Sequence, residues 1–340
     1  MTSRPLLVLA LVLSGLLAAS CGPKRVSGTD RVDARLFEDA PRRKGIDAVL
    51  VFLPVSTHTR EAWQSLKDEL TTSFDVVTRP LSEATTDADL ARDIASVRPQ
   101  CIVLMGNAPM NLYLAYQRKH PGPFPPAVVV MASFFEEQRP LFKNTTGISY
   151  EIPGITTFVN LRSFIARPVQ RVGIIHRPLF ERYVAKQREL AAVEQVELVP
   201  IQVSNEPGPY EIRGALDELT RKERVDAVWV LNDNALLEPE LIAKGWLKML
   251  HKHPVAVVVG VGSLVDTRLH FGSFAMLPDH AALGVQTANL VFKLSEEGWN
   301  AGATAVELPL SVQSVVDLPW TRQHFQFREE ALDRIDRIVQ

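Results

Sequence analysis

Short apolar runs alternate along this chain with longer amphipathic stretches. In the first half the runs cover residues 46–53, 74–77, 101–105 and 127–131. These runs are mostly apolar and rich in Val, Ile and Leu, which is typical of strands buried on both faces of a parallel sheet. The stretches at residues 60–72, 87–97 and 110–119 carry apolar residues at helical spacing. The pattern therefore predicts repeated strand–helix units.

The same pattern starts again after Pro168. Strands are predicted at residues 171–175, 196–203, 227–231 and 254–261, and helices at residues 181–193, 210–221 and 239–250. This is a second doubly wound α/β unit. The last quarter adds an extended segment at 272–276, a helix capped by Pro278-Asp279, an extended segment at 306–312 and a helical tail at 328–339. These extra elements predict that the chain crosses again between two lobes.

The N-terminus has the layout of an export signal. Arg4 precedes the uncharged stretch Leu6 to Leu17, which is too short to span a bilayer, and small residues lead to Cys21. Ala18-Ala19-Ser20-Cys21 resembles a bacterial lipobox, although an ordinary cleaved signal with an incidental cysteine is the alternative. We predict a signal peptide at residues 1–20 and a lipid-anchored charged tether at residues 21–45. The protein would then be membrane-anchored in the cell envelope, on the periplasmic or extracytoplasmic side.

The amino-acid composition argues against several classes of protein. The 340 residues include 37 Lys and Arg against 39 Asp and Glu, a net charge of −2, so there is no basic excess for binding nucleic acid. The 2 cysteines cannot form a disulfide framework or a cysteine-rich zinc site. Cys101 opens an apolar run and is predicted to be a buried thiol. We expect no bound metal and no cofactor.

The candidate binding residues follow the predicted strands, because ligands of open α/β sheets bind beyond the carboxyl ends of the strands. Most are short polar residues or glycines, which also serve as ordinary helix caps and turns. Asp233 is the strongest candidate, since its carboxylate could accept hydrogen bonds from a ligand ammonium or hydroxyl group. The predicted set is Asn107, Ala108, Ser133, Tyr150, His176, Asp233, Asn234, Gly262 and Ser263.

Three segments resemble one known family. Asn144-Thr145-Thr146-Gly147 is similar to its N-x-T-G segment, Asn232-Asp233-Asn234 to its Asp-Asn pair, and residues 278–284 to its stretch leading to a Leu-Gly. The family is that of the ABC-transporter substrate-binding proteins with the type I periplasmic-binding fold, in the branch of tryptophan- and tyrosine-type binding lipoproteins. Residues 133–136 and 141–143 depart from the family pattern where a ligand would be touched.

The resemblance implies an α/β fold of two doubly wound parallel-sheet lobes joined by three interlobe crossings. We expect an N-terminal lobe of residues 46–150 and 279–308 and a C-terminal lobe of residues 151–278 and 309–340. It also implies a monomeric lipoprotein that traps a small solute, such as an amino acid, in the interlobe cleft by hinge closure and presents it to ABC permease subunits.

An enzyme and a protein-binding lipoprotein are the two other classes of function. The chain has no G-x-S-x-G elbow, no Walker A loop and no H-E-x-x-H motif, so we do not expect an enzyme. The alternative from a different class is an envelope lipoprotein of the same fold that binds a protein partner, as a regulator or sensor, instead of a transported solute.

Overall fold

The computed structural model describes residue 37 and residues 41–265 and 268–340. The predicted signal peptide, Cys21 and most of the predicted tether lie outside these residues. The chain forms two compact units and passes from one to the other three times, after Glu151, Leu277 and Ser311. We call residues 41–151 and 278–311, with Phe37, the N-terminal unit. Residues 152–277 and 312–340 form the C-terminal unit.

The strands of the two units belong to two separate sheets. They are β1 (Ala48–Pro54), β2 (Asp75–Leu81), β3 (Cys101–Met105), β4 (Ala127–Val130), β5 (Thr145–Gly147), β6 (Arg171–His176), β7 (Glu197–Gln202), β8 (Ala227–Val230), β9 (Ala256–Val259), β10 (Phe274–Pro278), β11 (Val312–Asp317) and β12 (Arg337–Val339).

The helices surround these sheets. They are α1 (Thr57–Leu70), α2 (Asp87–Val97), α3 (Asn107–Lys119), α4 (Phe135–Gln138), α5 (Gly154–Phe164), α6 (Glu181–Val193), α7 (Pro209–Asp217), α8 (Pro239–Leu241), α9 (Leu247–Leu250), α10 (His280–Glu296) and α11 (Leu318–His324). A π-helical turn, Ile242–Trp246, joins α8 to α9.

The N-terminal unit is built on a parallel sheet of order β2-β1-β3-β4-β5. Its central strands are buried on both faces. One face, with Val49 and Val103, packs against α1 and α10, and the opposite face, with Leu50 and Ile102, packs against α2 and α3. This double burial explains the continuous apolar runs in the sequence.

The C-terminal unit has a sheet of order β12-β11-β10-β9-β8-β6-β7. The pairs from β7 through β6, β8 and β9 to β10 are parallel, as is the pair β11–β12. Two parallel-sheet α/β units joined by three crossings confirm the predicted fold class. Trp229, in β8, lies in the interior against Phe158 and Tyr183.

Cys101 is fully buried at the start of β3, as predicted, and burial raises the pKa of its thiol to about 12. The thiol is therefore protonated at neutral pH, which suppresses the nucleophilic thiolate form.

The predicted helix at residues 328–339 is wrong. Residues Glu329–Arg334 form a 3-10 helix and Arg337–Val339 form β12, which pairs with β11. Pairing with β11 favours the extended form of Arg337–Val339 over a continuous helix. The Asp336 carboxylate accepts hydrogen bonds from both the N–H and the hydroxyl of Ser314, at 2.7 and 2.8 Å. These bonds hold the tail against the edge of the sheet.

The sequence pattern does not predict α5 or α11. The end of α5 is capped from a distant segment, because the Arg328 guanidinium donates to the carbonyls of Arg162, Ser163 and Ile165. A cation at this end also complements the helix dipole. In α11 the Asp317 carboxylate caps the first turn by accepting the Trp320 N–H.

Gly284 sets the distance between α10 and α1. A Cβ atom there would overlap the carbonyl oxygen of Ala62 and lie 2.9 Å from the Leu66 nitrogen. Both neighbours are backbone atoms of α1, so a larger side chain could not be accommodated by rotating a neighbouring side chain. Leu283 and Ala288 then join the core beside the sheet.

We expect Gly284→Ala to destabilise the protein by about 1–3 kcal/mol, because the added methyl group forces the two helices apart. Gly214→Ala is the matched control. Gly214 lies within α7, where a Cβ would have no atom within 4 Å, so this change should be neutral or stabilise by up to about 1 kcal/mol. Urea unfolding followed by circular dichroism measures both, and equal effects would contradict the close-packing interpretation.

Candidate functional site

Two predicted residues of the N-terminal unit contact each other beyond the sheet. Asn107 begins α3 directly after β3, where Gly106 adopts a φ of 95° that favours glycine. The Asn107 side-chain oxygen accepts the backbone N–H of Ser133 at 2.8 Å. This bond joins the segments that follow β3 and β4. Ala108 lies in the same first turn of α3, partly exposed.

Glu151 is the most unusual group in this region. Its Oε2 atom accepts the backbone N–H of Phe134 at 2.9 Å, whereas its buried Oε1 atom has no hydrogen-bond partner among the described residues. Burial raises the pKa of this carboxyl to about 7, and Glu136 and Glu137 also raise it, against the lowering effect of the Phe134 N–H. A buried acceptor without a donor is a site where a ligand donor would be stabilising.

Tyr150 is directed toward α10. Its hydroxyl lies 3.0 Å from Nε2 of His280, the first residue of α10, and the two rings stack. Burial raises the pKa of the Tyr150 phenol. Burial and then the nearby His58 lower the pKa of His280 to about 4. Both side chains are therefore neutral at pH 7, which suits a hydrogen bond between them.

In the C-terminal unit, Asp233 forms an ion pair that sequence reasoning missed. Arg177 Nε and Nη2 donate to the two Asp233 oxygens at 2.6 and 2.7 Å, and the Ala235 N–H donates to Oδ1 at 3.1 Å. Asp233 is only 3% exposed. Both of its oxygens thus have partners within the chain, and its role as a ligand contact stays a prediction.

A signal for this pair does exist in the sequence. Arg177 directly follows β6 and Asp233 follows β8, and these strands are neighbours in the sheet. Residues beyond the carboxyl ends of adjacent parallel strands lie close together, so opposite charges at these two positions are placed to pair. The pair can be predicted from the sequence only if β6 and β8 are known to be neighbours in the sheet.

The remaining predicted residues differ in exposure. His176 is 2% exposed, with Nδ1 3.1 Å from the Arg177 carbonyl oxygen, whereas Asn234 is exposed. Gly262 and Ser263 lie in a 3-10 turn after β9, and the Ser263 hydroxyl is buried without a hydrogen-bond partner in the part of the chain that the structure describes. Ser263 is thus the C-terminal unit's counterpart of Glu151. Binding by each of these residues remains a prediction.

The fold is similar to that of solved substrate-binding proteins. A ligand-free, open substrate-binding protein with adhesive properties from Clostridium difficile, CD0873, superposes with a TM-score of 0.64 at 13% identity, covering 86% of this chain and 99% of the other. An ABC domain from Streptococcus pneumonia in complex with L-Trp gives 0.57 at 14% identity, covering 86% and 99%. A conserved domain protein from Vibrio cholerae gives 0.57 at 16%, covering 87% and 100%.

No protein-family model and no curated protein matches the chain. The low identities mean that the structural neighbours establish the fold alone, and that fold is the type I periplasmic-binding fold. Solved proteins that share it with this chain include substrate-binding proteins of ABC transporters. Among the described residues, no helix is long and apolar enough to cross a bilayer.

Removing Asp233 should destabilise the C-terminal unit. We expect Asp233→Ala to lower the free energy of unfolding by about 3 kcal/mol, because the largely buried Arg177 guanidinium would lose its counter-charge. Lys244→Ala, which breaks the exposed pair with Glu240, is the control and should change stability by less than about 0.5 kcal/mol. Urea unfolding compares them, and an effect of Asp233→Ala as small as that of the control would contradict the structural role.

Glu151 should make stability depend on pH. Its folded pKa of about 7 lies above the ordinary 4.5, so the folded state holds a proton that the unfolded state releases. This contribution is complete below pH 4.5 and is lost as pH rises through 7. Glu151→Gln should therefore gain stability relative to the natural protein across this range, on the order of 3 kcal/mol in total. Thermal unfolding at several pH values measures this. Glu83→Gln, at an exposed carboxyl that does not act on Glu151, is the control and should show a nearly constant difference.

Proposed function

We propose that this protein is the substrate-binding lipoprotein of an ABC-type uptake system. It is exported, anchored through Cys21, and holds a small solute at the strand ends of its two units. As the family resemblance implies, the units close on the solute by a hinge motion, and the closed form is presented to permease subunits. Closure requires the solute to bind the closed state more tightly than the open state.

The observation that carries the proposal is the half-satisfied carboxyl of Glu151. One of its oxygens is fixed by a backbone N–H, and the other is buried without a donor among the described residues. A solute ammonium or hydroxyl group would supply that donor. An ammonium group would also favour the ionised carboxylate, which burial alone disfavours. The favoured solute class is therefore a small amine-bearing molecule such as an amino acid.

Ser263 supports the same interpretation in the C-terminal unit. Its buried hydroxyl, just beyond β9, has no hydrogen-bond partner among the described residues and can either donate or accept. Asn107 and Ser133 place further short polar groups beyond β3 and β4. Short side chains at strand ends allow a small ligand to approach the backbone, whose polar groups can then orient it.

A thermal-shift screen of the purified protein tests the proposal, after unfolding and refolding to remove any bound solute. The panel contains amino acids, sugars, nucleosides and peptides. A ligand present at about 1,000 times its dissociation constant should stabilise the protein by about 4 kcal/mol. We expect the amino acids to include such a ligand.

Calorimetry with variants then locates the binding. Glu151→Gln should weaken affinity for the identified solute by about 10- to 100-fold, through loss of a charge-assisted hydrogen bond. Glu83→Gln, at an exposed carboxyl that does not act on Glu151, should leave affinity unchanged. A screen without any stabilising solute would overturn the proposal in favour of a protein partner. Unchanged affinity in Glu151→Gln would remove this carboxyl from the binding site.

A further inference from the structure

Three side chains distant in sequence converge on the N-terminal unit. His58 and Glu61 lie three residues apart on α1, and His280 is the first residue of α10. Each offers one ligand atom, and these atoms all lie within 4.8 Å of one another. Residues three apart share one face of a helix, so both α1 side chains face the same point at the start of α10.

The orientation of His280 is fixed by a partner behind it. Tyr150 contacts Nε2 at 3.0 Å, which leaves Nδ1 facing Glu61, 3.8 Å from Oε2. Histidines that bind metals use one ring nitrogen for the ion and usually give the other to a hydrogen-bond partner. With a metal on Nδ1, His280 would carry its proton on Nε2 and donate it to the Tyr150 oxygen. The three ligands are thus accompanied by Tyr150, which would serve as the hydrogen-bond partner of the ligating His280.

We propose that His58, Glu61 and His280 form a binding site for a divalent transition-metal ion, with Zn²⁺ the best match. Two imidazoles and one carboxylate are a ligand set that zinc accepts, with a fourth position left for water. Imidazole nitrogen also disfavours Mg²⁺ and Ca²⁺, which prefer oxygen ligands. This site is separate from the residues of the proposed solute site, Tyr150 excepted.

Small side-chain movements are enough to form the site. Tetrahedral ligands at 2.0–2.2 Å from zinc lie about 3.4 Å apart. Because the three ligand atoms lie within 4.8 Å of one another, no separation must shorten by more than about 1.4 Å. His58 and Glu61 are exposed, and the His58 ring lies 4.7 Å from the His280 ring. His280 is only 7% exposed. The contact of Gly284 with Ala62 sets the spacing of the two helices that carry the three ligands.

A bound ion would link α1 to the first turn of α10. His280 stands three residues after Leu277, where the chain returns from the C-terminal unit. The metal would therefore fix the point at which the returning segment joins the N-terminal unit. This role needs no solute and is independent of transport.

Zinc binding can be measured by calorimetry. The protein is treated with a chelator and then titrated with ZnCl₂ in the absence of any solute. We expect one Zn²⁺ per chain with micromolar or tighter affinity, and no binding of Mg²⁺ or Ca²⁺ at the same concentrations. His58→Ala and Glu61→Gln alter exposed side chains and should fold normally, yet each should weaken zinc binding by more than about 10-fold. His120→Ala and Glu69→Gln, at other exposed positions, are the controls and should bind as the natural protein does.

Cobalt provides a structural readout. Co²⁺ in a tetrahedral nitrogen–oxygen site gives visible absorption bands that a loosely held surface ion does not, and these bands should disappear in His58→Ala. The proposal is overturned if the natural protein fails to bind Zn²⁺, or if His58→Ala and Glu61→Gln both bind it unchanged. Because no solute is present, either result leaves the proposed solute-binding function untouched.

Discussion

The close contact between α10 and α1 is the constraint on which the N-terminal unit depends. Gly284 lets the two helix backbones meet, and Leu283, Leu290 and Val291 of α10 then cover one face of the sheet together with α1. The segment after α10 adds a bridge between Glu307 and Ile148 at the other edge. Residues 278–311 are therefore part of this unit's core, although they follow the whole central portion of the C-terminal unit in sequence.

The two buried carboxylates beyond the strands differ in how their oxygens are satisfied. Asp233 has donors on both oxygens from Arg177 and from the backbone, so it is complete without any ligand. Glu151 has a donor on one oxygen only, and burial raises its pKa to about 7. The first arrangement stabilises the fold, whereas the second leaves the folded protein with an unmet hydrogen bond. Strand-end position alone does not separate these two cases, because Asp233 comes shortly after β8 and Glu151 comes shortly after β5.

The sequence predicted β1 to β4 and β6 to β10, because burial on both faces produces a largely apolar run, which is a local signal. It did not predict β5, and the extended segment predicted at residues 306–312 meets β11 only at Val312. It failed where a distant partner decides the local structure. The tail at residues 328–339 is drawn into a strand by β11 and Ser314, and α5 is capped by Arg328 from the other end of its unit. The candidate site shows the same limit. The residues after the strands could be named, but neither the Arg177–Asp233 pair nor the approach of His280 to His58 can be read without knowing which elements are neighbours.

The discontinuous N-terminal unit has a consequence for how the chain folds as it is made. All strands of its sheet have been synthesised once the ribosome has added Glu151. However, α10 and the segment that forms the bridge between Glu307 and Ile148 are added only after Leu277. At about 5–20 residues per second, the ribosome needs roughly 8–32 s to add the residues from 152 to 311. During that interval the apolar face of β1, β3 and β4 that α10 later covers lacks this helix. The C-terminal unit is also incomplete then, since β11 and β12 follow Ser311, so neither unit can finish folding before its own last segment has been synthesised.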